Sequence, residues 1–283
     1  MMGIVFLIQS TDRKGLVSSI STFFYERGFN ILKCQQHTDT STGQYFMRVV
    51  LDLASLTMAR RTLEEEFAEF AKRLELSWSV HYPDYVQRMA ILVTKASHCL
   101  YDLLFRWQEG ELRCEIPVII SNHPNLEYIA DRFRIPFHCL PVTKETKPQQ
   151  EAEIRRLLRQ YHIDLVVLAR YMQILSKEFV EEYAGRIINI HHAFLPAFQG
   201  ANPYQRAYER GVKMIGATAH YATAELDEGP IIEQDVERVT HEDSPEDLSR
   251  IGRDIERIVL ARAVKAHLEH RIIISGRRTI VFS

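Results

Sequence analysis

Two regimes of apolar and polar positions succeed one another along the chain. In the first, short apolar runs alternate with amphipathic stretches. Residues 4–9 read as a strand, and Leu16, Ile20, Phe23 and Phe24 recur at helical spacing up to Gly28. Asn30 to Thr38 predicts a second strand, Ser41-Thr42-Gly43 a hairpin turn, and Gln44 to Leu53 a third strand. Thr57 to Leu74 is rich in Ala, Glu, Leu and Arg and predicts a helix. Leu76 to Tyr82 predicts a fourth strand, and Pro83-Asp84 a linker. The order βαββαβ is the ferredoxin-like, split-βαβ arrangement, so residues 1–84 are expected to form one domain.

From residue 85 to 283 the apolar runs are more continuous. Met89–Thr94, Glu115–Ser121, Phe137–Val142, Leu165–Leu168 and Ile187–Ile190 predict buried strands. Between them, His98–Gln108, Asn125–Phe133, Gln149–Tyr161 and Ser176–Tyr183 predict helices. Strict alternation of strand and helix makes an α/β domain with a mostly parallel, doubly wound sheet. Met214–Tyr221 and Pro230–Val239 predict further, antiparallel strands. Ser244-Pro245-Glu246-Asp247 has N-cap chemistry with Pro in the first turn, and opens a long helix to about His270. Ile272 to Phe282 predicts short terminal strands.

Composition narrows the function classes. The 283 residues are 46% hydrophobic and 25% charged, ordinary for a globular chain with a sizeable core. A net charge of −2 supplies no basic field, which argues against a nucleic-acid or membrane partner. Cys34, Cys99, Cys114 and Cys139 are scattered with no C-x-x-C pair, so reduced thiols, a cytoplasmic setting and no metal site are expected. The apolar run Gly3–Ile8 is too short to span a membrane and has charged residues soon after it, which argues for a first strand over a signal peptide.

The candidate chemistry gathers at the end of one strand. In Ile187-Ile188-Asn189-Ile190-His191-His192 the alternation of strand side chains puts Asn189 and His191 on one side and turns His192 away. Pro196 and the run Gln199-Gly200-Ala201-Asn202-Pro203 stop the strand. Ligands bind outside strand C-terminal ends in open α/β sheets. The acidic turn Glu225-Leu226-Asp227-Glu228-Gly229 follows about thirty residues on. An amide, an imidazole and a carboxylate meeting there would make an acid–base site. Each alone has a plain structural reading: a strand-end cap, a structural histidine, a turn aspartate. His192 is not expected to hold a metal, since no ligand cluster surrounds it. His220 either lines the site or satisfies a strand end.

Two resemblances sharpen this. Asp12-x-x-Gly15 between strand and helix, with Phe29-Asn30-Ile31 opening the next strand, resembles an ACT domain. That implies a regulatory module, an amino-acid effector held near Asp12, Gly15, Leu16 and Asn30, and a homo-oligomer, dimer or tetramer. Asn189-Ile190-His191 with Leu195-Pro196, Gly216-Ala217-Thr218-Ala219-His220-Tyr221 and Leu226-Asp227-x-Gly229-Pro230 resembles the folate-dependent formyltransferases over residues 89–283. It implies a Rossmann-like catalytic domain, Asn189, His191 and Asp227 as catalytic residues, and a folate pocket at Met172-Gln173-Ile174-Leu175, with His220 and Gly229 beside it. Gln173 stands where Arg is usual, and Ala193 where Ser is common.

The family resemblance further implies a folate substrate, 10-formyltetrahydrofolate, and no metal or redox cofactor. The loop Thr94-Lys95-Ala96-Ser97-His98-Cys99-Leu100 lacks the glycine-rich turn with which nucleotide-formylating members hold their acceptor's phosphate. Water is therefore the expected acceptor, giving tetrahydrofolate and formate, the latter for purine synthesis and for balancing one-carbon pools. The short tail after His270 leaves no room for a tRNA-binding or oxidoreductase domain. The alternatives are transfer of the formyl group to a small amine, and a sensor that binds folate without reacting. Glycine or methionine is the expected effector.

Overall fold

A computed structural model describes residues 3–196 and 203–283. The chain divides into two compact units. One comprises the residues up to Tyr85 with His270–Ile273 and Ile280–Ser283; the other comprises Val86–Glu269 with Ile274–Thr279. Pattern along the chain assigns all of 85–283 to the second domain. The terminal hairpin, β12 (Ile272–Ser275) and β13 (Arg278–Val281), departs from that assignment only in part: residues 272–273 and 280–281 go with the first unit, and 274–279 stay with the second. Ile273 and Phe282 bury themselves with Phe46 and against Leu7 and Ile280, so apolar burial draws these residues into the first unit.

The first unit carries β1 (Gly3–Thr11), α1 (Leu16–Glu26), β2 (Ile31–Asp39), β3 (Gln44–Asp52), α2 (Arg60–Arg73) and β4 (Ser77–His81). Its antiparallel sheet runs β2-β3-β1-β4, the expected split-βαβ order. The helices bury Leu16, Ile20, Phe23, Phe24, Leu63 and Phe67. Phe67 sits at the centre of that core, its ring 4.7 Å from Phe6, 5.5 Å from Phe24 and 4.9 Å from Trp78. α1 stops where Gly28 takes φ +77 and the Phe29 N–H returns to the Phe24 carbonyl at 3.0 Å, a Schellman ending.

The second unit carries β5 (Arg88–Val93), α3 (His98–Gln108), β6 (Glu115–Ser121), α4 (Glu127–Phe133), β7 (Phe137–Cys139), α5 (Lys147–Gln160), β8 (Leu165–Leu168), α6 (Lys177–Glu182), β9 (Ile187–His191), α7 (Pro203–Arg210), β10 (Met214–Tyr221), β11 (Ile231–Arg238) and α8 (Pro245–Leu268). The seven strands lie in the order β11-β10-β9-β8-β5-β6-β7. β5 to β9 pair in parallel, and β10 and β11 antiparallel, as the sequence predicts. Helices cover both faces, which is why β5 and β8 are buried almost without a break. Ala90, Leu92, Val166 and Leu168 meet α5 and α6, while α8 packs on β9, β10 and α3.

Three local readings differ. β7 ends at Cys139 rather than Val142, since beyond it the Leu140 N–H returns to Ser121 and the ladder goes no further. α4 is preceded by a separate 3-10 turn, Pro124–Leu126. α7 has no counterpart in the sequence reading: Tyr204, Ala207 and Tyr208 do recur at helical spacing, but the helix is only 8 residues long, shorter than the window of about 11–18 residues over which periodicity is read. The predicted stop at Gln199–Pro203 falls on 199–202, outside the described residues, and on Pro203, which begins α7.

The chain moves outward from β5 to β6 and β7 on one side, and through β8 and β9 on the other. The sheet's topological switch point therefore lies between β5 and β8, where a crevice opens at strand C-termini. Thr94 follows β5 there and accepts a bond from the Met172 N–H at 3.0 Å, tying the loop after β8 to it.

Candidate active site

A cavity of about 1070 Å³ lies at this crevice. Asn189, His191, His220 and Asp227 line it together with Met172 to Leu175. Asn189 and His191 share a side of β9, as alternation requires. Asp227 reaches them from the β10–β11 connection, where its backbone adopts φ +58, a left-handed conformation that aspartate tolerates better than most residues. One carboxylate oxygen lies 3.2 Å from His191 Nδ1 and 3.8 Å from His220 Nε2.

The hydrogen bonds define orientations. His220 Nδ1 lies 2.9 Å from its neighbour's carbonyl, Tyr221 O, and must carry the proton there. Burial, outweighing the Tyr221 bond and Asp227, holds His220 below its ordinary pKa, so the ring is neutral and Nε2 is an acceptor. Asn189 Nδ2 donates to it at 3.2 Å. That fixes the amide and leaves its second N–H to point at a ligand. Burial raises the Asp227 carboxyl, but the bond to His191 and the nearby imidazoles outweigh it, holding it below the usual carboxylate value. His191 Nε2 is buried and has no partner among the described residues, facing the cavity.

The cavity floor is apolar and open. Met172 and Ile174 are 54% and 60% exposed, large for apolar side chains, beside Leu175. An exposed apolar slot next to a polar cluster is what a flat heteroaromatic ligand requires.

Two residues sit differently from expectation. Gly229 does not line the cavity. A Cβ on it would stand 1.7 Å from Tyr221 O, so its role is to let the turn close on β10, whose Tyr221 N–H donates to Pro230 O at 2.9 Å. His192 does not turn away. The strand ends at His191, alternation lapses, and the His192 ring stacks beside that of His191 at 5.4 Å. Burial lowers its pKa to about 4.

Several residues carry no clear mark in the sequence. Thr218 Oγ1 accepts from Leu195 N–H at 3.0 Å and donates to Ala193 O at 2.9 Å, and Gln234 Nε2 reaches the same hydroxyl at 2.9 Å. They pin the loop after β9, with Ala193 contributing backbone where a serine is usual in the resembled family. Glu256, in α8, meets His98, Arg170 and Tyr204 on the cavity wall. A charged residue within the buried stripe Gly252, Ile255, Glu256, Val259 was the signal available for it. His98, Cys99 and Glu256 bring potential ligand atoms within 4.8 Å. Burial, with Glu256 adding to it, drives the Cys99 thiol well up, and His98 and Glu256 are bonded to one another at 2.8 Å.

A second cavity, of about 610 Å³, lies wholly within the first unit. Asp12, Gly15 and Leu16 line it at the start of α1, with Gln36, Thr38 and Tyr45 across from them. Asn30 is not part of it. Its N–H meets Ser55 Oγ at 3.2 Å and its carbonyl accepts from Asp52, at the far end of β2.

The chain matches the Formyl transferase family over residues 87–264 and the ACT domain family over residues 4–67. It is 56% identical to a formyltetrahydrofolate deformylase from Synechocystis over 98% of this chain and 97% of that one. The crystal structure of a formyltetrahydrofolate deformylase from Pseudomonas syringae superposes with a TM-score of 0.97 at 43% identity, covering 100% of this chain and 95% of that one. A glycinamide ribonucleotide transformylase structure from Symbiobacterium toebii gives 0.67 at 31% identity, over 72% of this chain and 98% of that one. The two-unit architecture and the near-complete match along its length make this chain a member of the formyltetrahydrofolate deformylase family.

Proposed function

We propose that the chain hydrolyses 10-formyltetrahydrofolate to tetrahydrofolate and formate, with Asn189, His191 and Asp227 as its catalytic residues. The observation that carries this is their convergence at one end of the main cavity, with His191 Nε2 unspent and facing inward. The pterin lies in the slot formed by Met172 to Leu175, held through main-chain groups, so Gln173 in place of arginine leaves it intact. The formyl oxygen accepts the Asn189 N–H that His220 does not use. Asp227 accepts from His191 Nδ1, so the ring presents a lone pair at Nε2. Water loses a proton to Nε2 as its oxygen bonds to the formyl carbon. Negative charge grows on the former carbonyl oxygen, where a fixed amide donor is worth most. The same imidazolium then protonates the folate N10 as the C–N bond breaks, with Asp227 stabilising the charge between the two steps. Each proton movement has a group to serve it, so the reading needs no metal or redox cofactor.

The test is formate release from 10-formyltetrahydrofolate with no acceptor present. Wild type should release formate, and Asp227→Asn should fall by about 10²-fold or more. Transfer to an amine and folate sensing without chemistry both predict no release from wild type.

The amino-terminal unit, on the same reading, senses a free amino acid, glycine or methionine, in the cavity beside α1. Uncapped N–H groups at the start of α1 suit a carboxylate. Either ligand at millimolar concentration should change the rate and raise Tm, and indifference to both would remove the idea. The reading also has the chain working in the cytoplasm as a homo-oligomer, dimer or tetramer, which sedimentation at micromolar concentration checks.

A further inference from the structure

Glu256 is 1% exposed, and three donors converge on it. His98 Nε2 lies 2.8 Å from Oε2, the Tyr204 hydroxyl donates to Oε1 at 2.6 Å, and Arg170 Nη1 lies 3.4 Å away. The donors come from three places: the first residue of α3, the α7 helix, and the loop after β8, where Arg170 adopts φ +64. Position 252 on α8 is glycine, and a Cβ there would stand 2.1 Å from the Tyr204 ring. Tyr204 is thus seated against α8 by the absence of a side chain.

All four residues line the cavity that holds Asn189, His191 and Asp227. The His192 ring lies between the two groups, 5.4 Å from that of His191 and 6.2 Å from that of Tyr204. The cavity thus has two polar poles of opposite character. At one, His191 Nε2 and an Asn189 N–H are unspent. At the other, both oxygens of a carboxylate are spent on the protein itself. Glu225 and Glu246 on the rim are exposed, so Asp227 and Glu256 are the cavity's two carboxylates withdrawn from solvent. A primary amine attacking the formyl carbon needs room beside it and an acceptor for its N–H groups. Glu256 would be that acceptor if it were free.

We propose that His98, Tyr204 and Arg170 lock Glu256 into a plug that denies the cavity to an amine acceptor and reserves the formyl group for water. The proposal rests on the hydrolytic reading above and names the residues that set its specificity. They are positioning residues and act by occupying volume and spending the carboxylate's bonding capacity. With the plug opened, an amine nitrogen bonds to the formyl carbon and loses a proton to His191. The C–N10 bond breaks, N10 takes that proton, and the products are tetrahydrofolate and a formamide.

The experiment measures the ratio of formylglycinamide to formate produced from 10-formyltetrahydrofolate at fixed, high glycinamide. Wild type should make formate almost alone. Tyr204→Ala and His98→Ala should each raise the ratio at least tenfold, whereas Tyr204→Phe, which keeps the ring, should raise it much less. A general loss of structure lowers both products together and does not move the ratio. His98→Ala removes a side chain that is 14% exposed, and keeps the proposal testable should Tyr204→Ala not fold. The proposal is overturned if the ratio stays at the wild-type value in variants with cooperative melting, or if wild type already formylates glycinamide as fast as it releases formate. Formate release by wild type without glycinamide tests the hydrolytic reading separately.

Discussion

Asn189 is useful because one of its two amide hydrogens is already committed. The bond to His220 Nε2 forbids the flipped amide, since the oxygen would then face a lone pair. Truncation at Asn189→Ala should lower kcat by about 10²–10³-fold with a smaller change in KM, the signature of a donor that matters most in the transition state. His220→Ala should reproduce part of that loss without touching the substrate, because it frees the Asn189 amide to rotate. Residue type suggested an acid–base cluster of Asn189, His191 and Asp227, and the resemblance to the formyltransferases made them a group. His220 was legible as a neighbour but not as the residue that orients Asn189, because that depends on which ring nitrogen faces Tyr221 O. Glu256 could be noticed as a charge within an apolar helix stripe, but its role could not, because its partners stand 158, 86 and 52 positions away in the chain.

The connections between elements carry more of the site than the elements do. β9 supplies two side chains by strand alternation, but Asp227 arrives only because the β10–β11 turn closes tightly at Gly229. Gly229→Ala should push the turn off Tyr221 O and cost on the order of 1–3 kcal/mol of stability, a typical overpacking penalty. Formate release should fall with it, because the same carbonyl holds His220. The start of α8 offers a control. Ser244 caps it, its hydroxyl accepting from the Asp247 N–H at 3.2 Å while Asp247 reaches back to the Ser244 N–H. Ser244→Ala should cost about 1 kcal/mol of stability and lower Tm without a change in the product ratio. Helix boundaries of this kind were readable in advance: Ser-Pro-Glu-Asp announces a start. α7 was not, because two turns starting at a proline are too short for their periodicity to stand out.

On the scale of the whole chain, acid should act on both units. His81 in the first and His192 in the second are each lowered by burial to about 4. The His81 ring also stacks on that of His270 at 3.7 Å, within the same unit. A histidine whose folded pKa lies below its unfolded value binds its proton more weakly when folded. Stability therefore falls as pH drops from about 6.5 towards 4, by up to roughly 3 kcal/mol for each ring. Denaturant unfolding at pH 7 and pH 4.5 should show this loss, and His81→Gln and His192→Gln should each reduce it. An unchanged midpoint between the two pH values would contradict it. Among the described residues no helix is long and apolar enough to cross a membrane.

Local pattern by itself determined the two kinds of sheet in this protein, the presence of its last strands, and the residue types gathered for chemistry. Each of these follows from periodicity or composition within a few dozen residues. Tertiary structure alone decided that Gly229 serves Tyr221 rather than a ligand, that His192 turns towards the cavity, that Asn30 stands apart from the cavity beside α1, and that the terminal hairpin divides between the two units. Those outcomes depend on which distant surfaces come within a few ångströms of one another. Close packing and the need to satisfy buried polar groups set them, and neither can be evaluated before the chain has closed on itself.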